Sequence, residues 1–202
     1  VIRRDSLSDV LTATAFLLCL YLSTFDLGVL IIFPVVLLTS GILLQYYMLK
    51  KPSQVREKHI TSKSATNLTY YTVLGFGALM GIGFAAPQVE KLPFLSQIQT
   101  LSTTPAIMFT SLIAIGEEHF FRGWLTNYLS KKSVFFGIFG SAAVFAAFHL
   151  AIYGMSVSAL FYVLASGVLL AWIGIHSGRL FVPMMIHILN NVGVYLMSVV
   201  YA

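Results

Sequence analysis

The chain has 202 residues, 58% hydrophobic and only 9% charged, with a mean hydropathy of +0.88. That length supports one domain, and apolar runs of bilayer length name lipid rather than water as its solvent. The formal charge of +5 does not point to nucleic acid, because the basic residues stand at the ends of apolar runs and form no aromatic-interleaved patch. A single cysteine, Cys19, excludes an internal disulfide and a cysteine-based metal cluster.

Taken in chain order, "VIRRDSLSDV" followed by "LTATAFLLCLYL" has the basic start and apolar body of a signal peptide. No small-x-small cleavage site follows at "STFDLG", so a retained first helix is expected over 9–24. Further apolar windows lie at 28–50, 67–88, 105–129, 133–153, 156–176 and 180–201, each near the ~20 residues needed to cross ~30 Å. The alternating pattern of a membrane barrel is absent. The expectation is an all-α polytopic transmembrane helix bundle of about seven spans, 1–202 forming a single transmembrane domain. With the N-terminus inside and the C-terminus outside, Arg3, Arg4, Lys50, Lys51, Arg56, Lys58, Lys63, Lys131, Lys132 and Arg179 gather on the inner face, ten of the twelve Lys and Arg. Lys91 falls outside and Arg122 within the membrane. The loop "KKPSQVREKHITSKSATN" carries five of these basic residues and is expected to lie on an anionic leaflet.

Two glutamates and an arginine interrupt the fourth window within six consecutive positions, in "GEEHFFRGW". A charge at mid-bilayer costs about 2.5–3.5 kcal/mol on insertion scales, so such residues face the bundle interior and need partners. Spacing of i and i+4 puts Glu118 and Arg122 on one face as a mutually neutralising pair and turns Glu117 about 100° away from them. A stability pair accounts for Glu118 and Arg122 but not for Glu117. The fifth window contains "SAAVFAAFHL", small residues that allow close helix approach and then His149. The seventh contains "FVPMMIHILNNV", with His187 and Asn191 on one face behind Pro183 and with Asn190 turned away. At about 1.5 Å per residue from the inner helix ends, Glu117 lies at about 18 Å, His149 at about 22 Å, His187 at about 10 Å and Asn191 at about 16 Å, a spread that a tilt of order 20° can close. Among the other histidines, His119 faces away from Glu117, and His59 and His176 fall in or near inner loops.

A carboxylate beside an imidazole can take a proton from water and make a nucleophile of it. A second imidazole and a carboxamide N–H suit the oxyanion that forms as water adds to a peptide carbonyl. Glu117, His149, His187 and Asn191 thus suit peptide-bond hydrolysis without a serine or cysteine nucleophile, and no motif surrounds Cys19 to indicate thiol chemistry. The same Glu117, His149 and His187 would suit a divalent metal such as zinc, with one position left for water. The H-E-x-x-H helix of zincins is absent, since in "EEHFF" both glutamates precede the histidine. The metal-free version, which requires no cofactor, is therefore preferred and the metal version stays open. Proton and ion transporters also use membrane Glu/His clusters, but no paired broken helices or repeated halves accompany this one.

Glu117, Glu118 and Arg122 form an EExxxR motif with the trailing Gly123; Phe145 and His149 form FxxxH; His187 and Asn191 form HxxxN. With these motifs in order over about 105–195, the chain resembles the CPBP or Abi family of intramembrane proteases, which includes CAAX prenyl proteases of the Rce1 type and bacteriocin-processing enzymes. The resemblance implies that 105–201 is a catalytic helical core. It implies further that Glu117 and His149 activate the attacking water, that His187 and Asn191 stabilise the oxyanion, and that Glu118 and Arg122 support them with Phe145 packed behind His149. It also implies a multi-pass protein of the cell membrane or an ER-type membrane. Its partners would then be the lipid bilayer and a membrane-associated peptide or protein entering from the membrane and cytoplasmic side, a prenylated C-terminus being the Rce1-type case. The eight-helix prenyl protease version holds one helix more than is expected after Asn191, which bears on that substrate more than on the chemistry. A non-proteolytic scaffold or bacteriocin-immunity member is the alternative within the family, against which the intact four-residue site argues.

Overall fold

A computed structural model describes residues 2, 11–13, 15, 28–50, 65–85, 102–153 and 155–200. Among the described residues every element is helical. The second and third predicted windows are α1 (Gly28–Lys50) and α2 (Ala65–Ala85). The fourth is one continuous helical rod in three parts: α3 (Thr103–Glu118), a π-helical segment (His119–Thr126) and a closing turn, α4 (Asn127–Ser130). The fifth contains a π-helical segment (Phe136–Gly140) and then α5 (Ser141–Tyr153). Two further helices follow, α6 (Val157–Ser177) and α7 (Phe181–Val200). Of the predicted first helix only 11–13 and 15 are described, and these are helical; Cys19, Lys91 and the basic loop around 51–64 lie outside the described residues.

The π-helical segments differ from the α-helical pitch assumed for windows four and five. A π turn joins residue i to i+5, and the Thr126 hydroxyl lies 2.9 Å from the carbonyl of Phe121, five positions back. That hydroxyl shares its proton between Phe121 and the oxygen of Ser141, also at 2.9 Å, so the wide turn is tied to the start of α5. At the end of α6, Gly178 takes φ +66 and donates to Gly174 at 3.0 Å. Only glycine enters that left-handed conformation without steric cost, and the tight return it makes starts α7 back along α6 with Pro183 in its first turn.

The packing brings three helices to one place. α3 lies between α1 and α7, α5 packs on α6, and α2 covers α6 and α7. At the crossing of α1 and the fourth-window rod a Cβ on Gly41 would stand 2.7 Å from backbone atoms of His119 and Phe120. One on Gly116 would stand 2.8 Å from the carbonyl oxygen of Pro34, so the two backbones touch only because both positions are glycine. Burial is inverted relative to a water-soluble domain. Glu117, Glu118, His119 and Arg122 are all at most 2% exposed, whereas Leu43 is 66% and Val157 81% exposed. A polar interior under an apolar exterior is the arrangement that lipid favours. α6 is long and apolar enough to cross a membrane, and shorter apolar stretches occupy Ile32–Tyr47, Thr69–Ile82, Phe136–Leu150 and Phe181–Met197.

Candidate active site

Glu117 and Glu118 are the last two residues of α3, immediately before the pitch widens. Glu118, fully buried, makes an i,i+4 ion pair with Arg122 at 2.9 Å. Arg122 also reaches the carbonyl of Gly167 on α6 at 3.4 Å and lies 4.4 Å over the ring of Phe145 on α5. This one guanidinium therefore touches three helices, and a buried cation is tolerated because a carboxylate, a carbonyl and an aromatic face share it.

The same Glu118 oxygen accepts a hydrogen bond from Nδ1 of His187 at 2.8 Å, a link between α3 and α7 that spacing along the chain does not contain. A carboxylate only accepts, so the His187 proton sits on Nδ1 and its Nε2 turns toward Glu117, 3.5 Å from Oε2. His149 is ordered in the same way. Its Nδ1–H donates to the carbonyl of Phe145 at 2.8 Å, which leaves Nε2 facing Glu117 Oε1 at 3.8 Å. Phe145 packs against the His149 ring at 4.4 Å between centroids and stands edge-on to His187 at 6.1 Å. The Glu117 carboxylate is thus flanked by two oriented imidazoles from different helices, all three residues being buried. Neither separation is a direct hydrogen bond. Two gaps of this length around one carboxylate suit a small hydrogen-bonding molecule between the groups.

Glu117, Glu118, Arg122, Phe145, His149 and His187 therefore come together. Asn191 stands one turn beyond His187, half-buried, and its carboxamide donates to the carbonyl of Thr110 at 3.4 Å instead of pointing free into the centre. Asn190 accepts from the Tyr162 hydroxyl at 2.7 Å, the partner that explains its turn away from His187. His119 is held by Thr12 at 2.6 Å and by Gln45, whose amide also binds the His119 carbonyl at 2.8 Å. It braces the rod against its neighbours and does not join Glu117. His176 lies on the exposed side of α6 against Trp172. As placed, no group of three His, Cys, Asp or Glu side chains among the described residues could hold a metal ion.

An apolar helical bundle that hides a Glu/His centre from its surroundings is the class that this geometry defines. Residues 99–193 match the Rce1-like family, described as type II CAAX prenyl endopeptidase Rce1-like. The family is one of membrane-embedded proteases. No curated protein and no solved structure matches the chain significantly.

Proposed function

We propose that the chain is an intramembrane endopeptidase that hydrolyses a peptide bond near or within the bilayer, with a prenylated CAAX-type C-terminus as the substrate class the family description favours. The observation that carries this reading is the Glu117 carboxylate set 3.5 Å and 3.8 Å from two imidazole Nε2 atoms. A water held between Glu117 and His149 gives one proton to Glu117 as its oxygen adds to the carbonyl carbon, while its remaining O–H donates a hydrogen bond to His149 Nε2. The proton then passes to the leaving nitrogen as the C–N bond breaks. Since His187 already donates from Nδ1 to Glu118, it donates to the oxyanion only as an imidazolium. Its charge and that of Arg122 then balance Glu117 and Glu118, leaving the buried centre neutral. Asn191 supplies the second donor once a substrate draws its carboxamide from Thr110.

No metal enters this scheme. Cleavage is expected to persist in excess chelator; loss restored by zinc would put an ion at Glu117, His149 and His187.

The seven-span arrangement with the N-terminus inside belongs to the same proposal. Its support is the position of aromatic and basic residues at shared helix ends. Trp124 and Tyr128 stack at 6.0 Å beside Lys131 and Lys132, and Trp172 pairs with His176 shortly before Arg179. Both tryptophans of the chain thus mark the ends that the basic residues place at the inner leaflet.

The test is cleavage of a prenylated CaaX peptide by the full chain in lipid vesicles, with products read by mass spectrometry. Glu117→Ala and His149→Ala are each expected to abolish cleavage while the protein stays folded, and retained activity in either refutes its assignment.

A further inference from the structure

Phe145 covers one side of the His149 ring; Tyr153, one turn further along α5 and its last residue, stacks on the same ring with centroids 5.5 Å apart and planes 18° from parallel. Phe148 closes the edge at 5.7 Å. The His149 ring on which Tyr153 stacks turns its Nε2 toward Glu117 at 3.8 Å, so the Tyr153 ring stands beside the reacting centre; a second tyrosine, Tyr162, lies on α6. Of these two tyrosines, Tyr162 has its hydroxyl engaged with Asn190 at 2.7 Å. The Tyr153 hydroxyl makes no hydrogen bond among the described residues, although its ring is half-buried. Phenylalanine would stack on the imidazole equally well, so the stack does not account for the hydroxyl, which is not among the closed-off polar atoms of the described residues and is open to a molecule outside the fold. Such a group is expected to meet an acceptor that arrives from outside the fold. The acceptor chemistry available at a peptidase centre is a backbone carbonyl of the substrate.

We propose that Tyr153 positions the substrate: its ring fixes the plane of His149 and its hydroxyl donates to a peptide carbonyl next to the bond being cleaved. This rests on the hydrolase reading of the same site. A single neutral hydrogen bond made equally in the bound and transition states appears in KM and not in kcat.

The experiment measures Tyr153→Phe and Tyr153→Leu against the wild type with a fluorogenic prenylated CaaX peptide in lipid vesicles. Tyr153→Phe is expected to raise KM about fivefold with kcat within about twofold, and Tyr153→Leu to lower kcat about tenfold as well, because the stack is lost. A Tyr153→Phe variant with wild-type kcat/KM overturns the proposal. Binding of the same peptide, read by fluorescence anisotropy, is compared between Glu117→Ala and Glu117→Ala/Tyr153→Phe. A roughly fivefold weaker Kd is expected there, and equal or absent binding overturns the role of the hydroxyl. Failure of the hydrolase reading is a separate result: the wild type would then cleave no more than Glu117→Ala.

Discussion

Glu118 is the residue on which the buried charges depend, because one of its oxygens serves both Arg122 and His187. Glu118→Gln leaves Arg122 without its directly paired carboxylate in a site that is 1% exposed. Breaking a buried pair from one side costs about 3–5 kcal/mol, so this variant is expected to lose yield and melting temperature in detergent. A stable but inactive Glu118→Gln would transfer the residue from support to chemistry. Asn191→Ala should be milder toward the fold and lower kcat by about 10²–10³, the usual loss of an oxyanion donor. An unchanged kcat would remove that role from Asn191 while leaving Glu117 and His149 untouched. The pairing of Glu118 with Arg122 is legible in the sequence because both lie on one helix four positions apart. The bond from Glu118 to His187 spans 69 positions, and only the meeting of two helices creates it. For the same reason Asn190 reads as merely turned away until Tyr162 on α6 supplies its partner. Tyr153 carried a local signal, its i+4 spacing from His149, but an aromatic residue at a helix end reads first as packing.

At the scale of elements, the site depends on how closely α1 approaches the rod that carries Glu117. Gly41→Ala sets a methyl 2.7 Å from backbone atoms of His119 and Phe120, which cannot move aside as a side chain can. A loss of about 1–3 kcal/mol in stability is expected, together with reduced turnover, since the shifted backbone at His119 follows directly on Glu117 and Glu118. Gly81 is the control: a Cβ there meets nothing within 4 Å, so Gly81→Ala should gain about 0.5–1 kcal/mol and keep its turnover. Equal melting temperatures for the two variants would contradict the account of the crossing. Helix positions were readable because apolar runs of bilayer length leave a strong mark, and α1 begins and ends where its window does. The π-helical pitch of His119–Thr126 was not readable, since a wider turn over 8 residues leaves the apolar pattern intact and shows only where Thr126 meets Phe121 and Ser141.

For the whole molecule, the charged end and the two tryptophans predict one orientation. In a Cys19→Ser background, a cysteine at Lys131 should resist an impermeant maleimide added outside intact cells, and one at Met155, 82% exposed, should react. The reverse pattern would invert the topology. The general architecture follows from composition, because a chain this apolar has few ways to satisfy its backbone other than helices. What composition leaves undetermined is which polar residues meet, and that depends on the convergence of α3, α5 and α7 around Glu117. The most direct test of that convergence is a double-mutant comparison of the residual cleavage left at high enzyme concentration and long incubation in Glu117→Ala, His149→Ala and the two combined. Two groups acting on one water are expected to give a double variant no slower than the worse single variant. Losses that multiply would mean that the carboxylate and the imidazole work on separate events, contrary to the geometry proposed for the site.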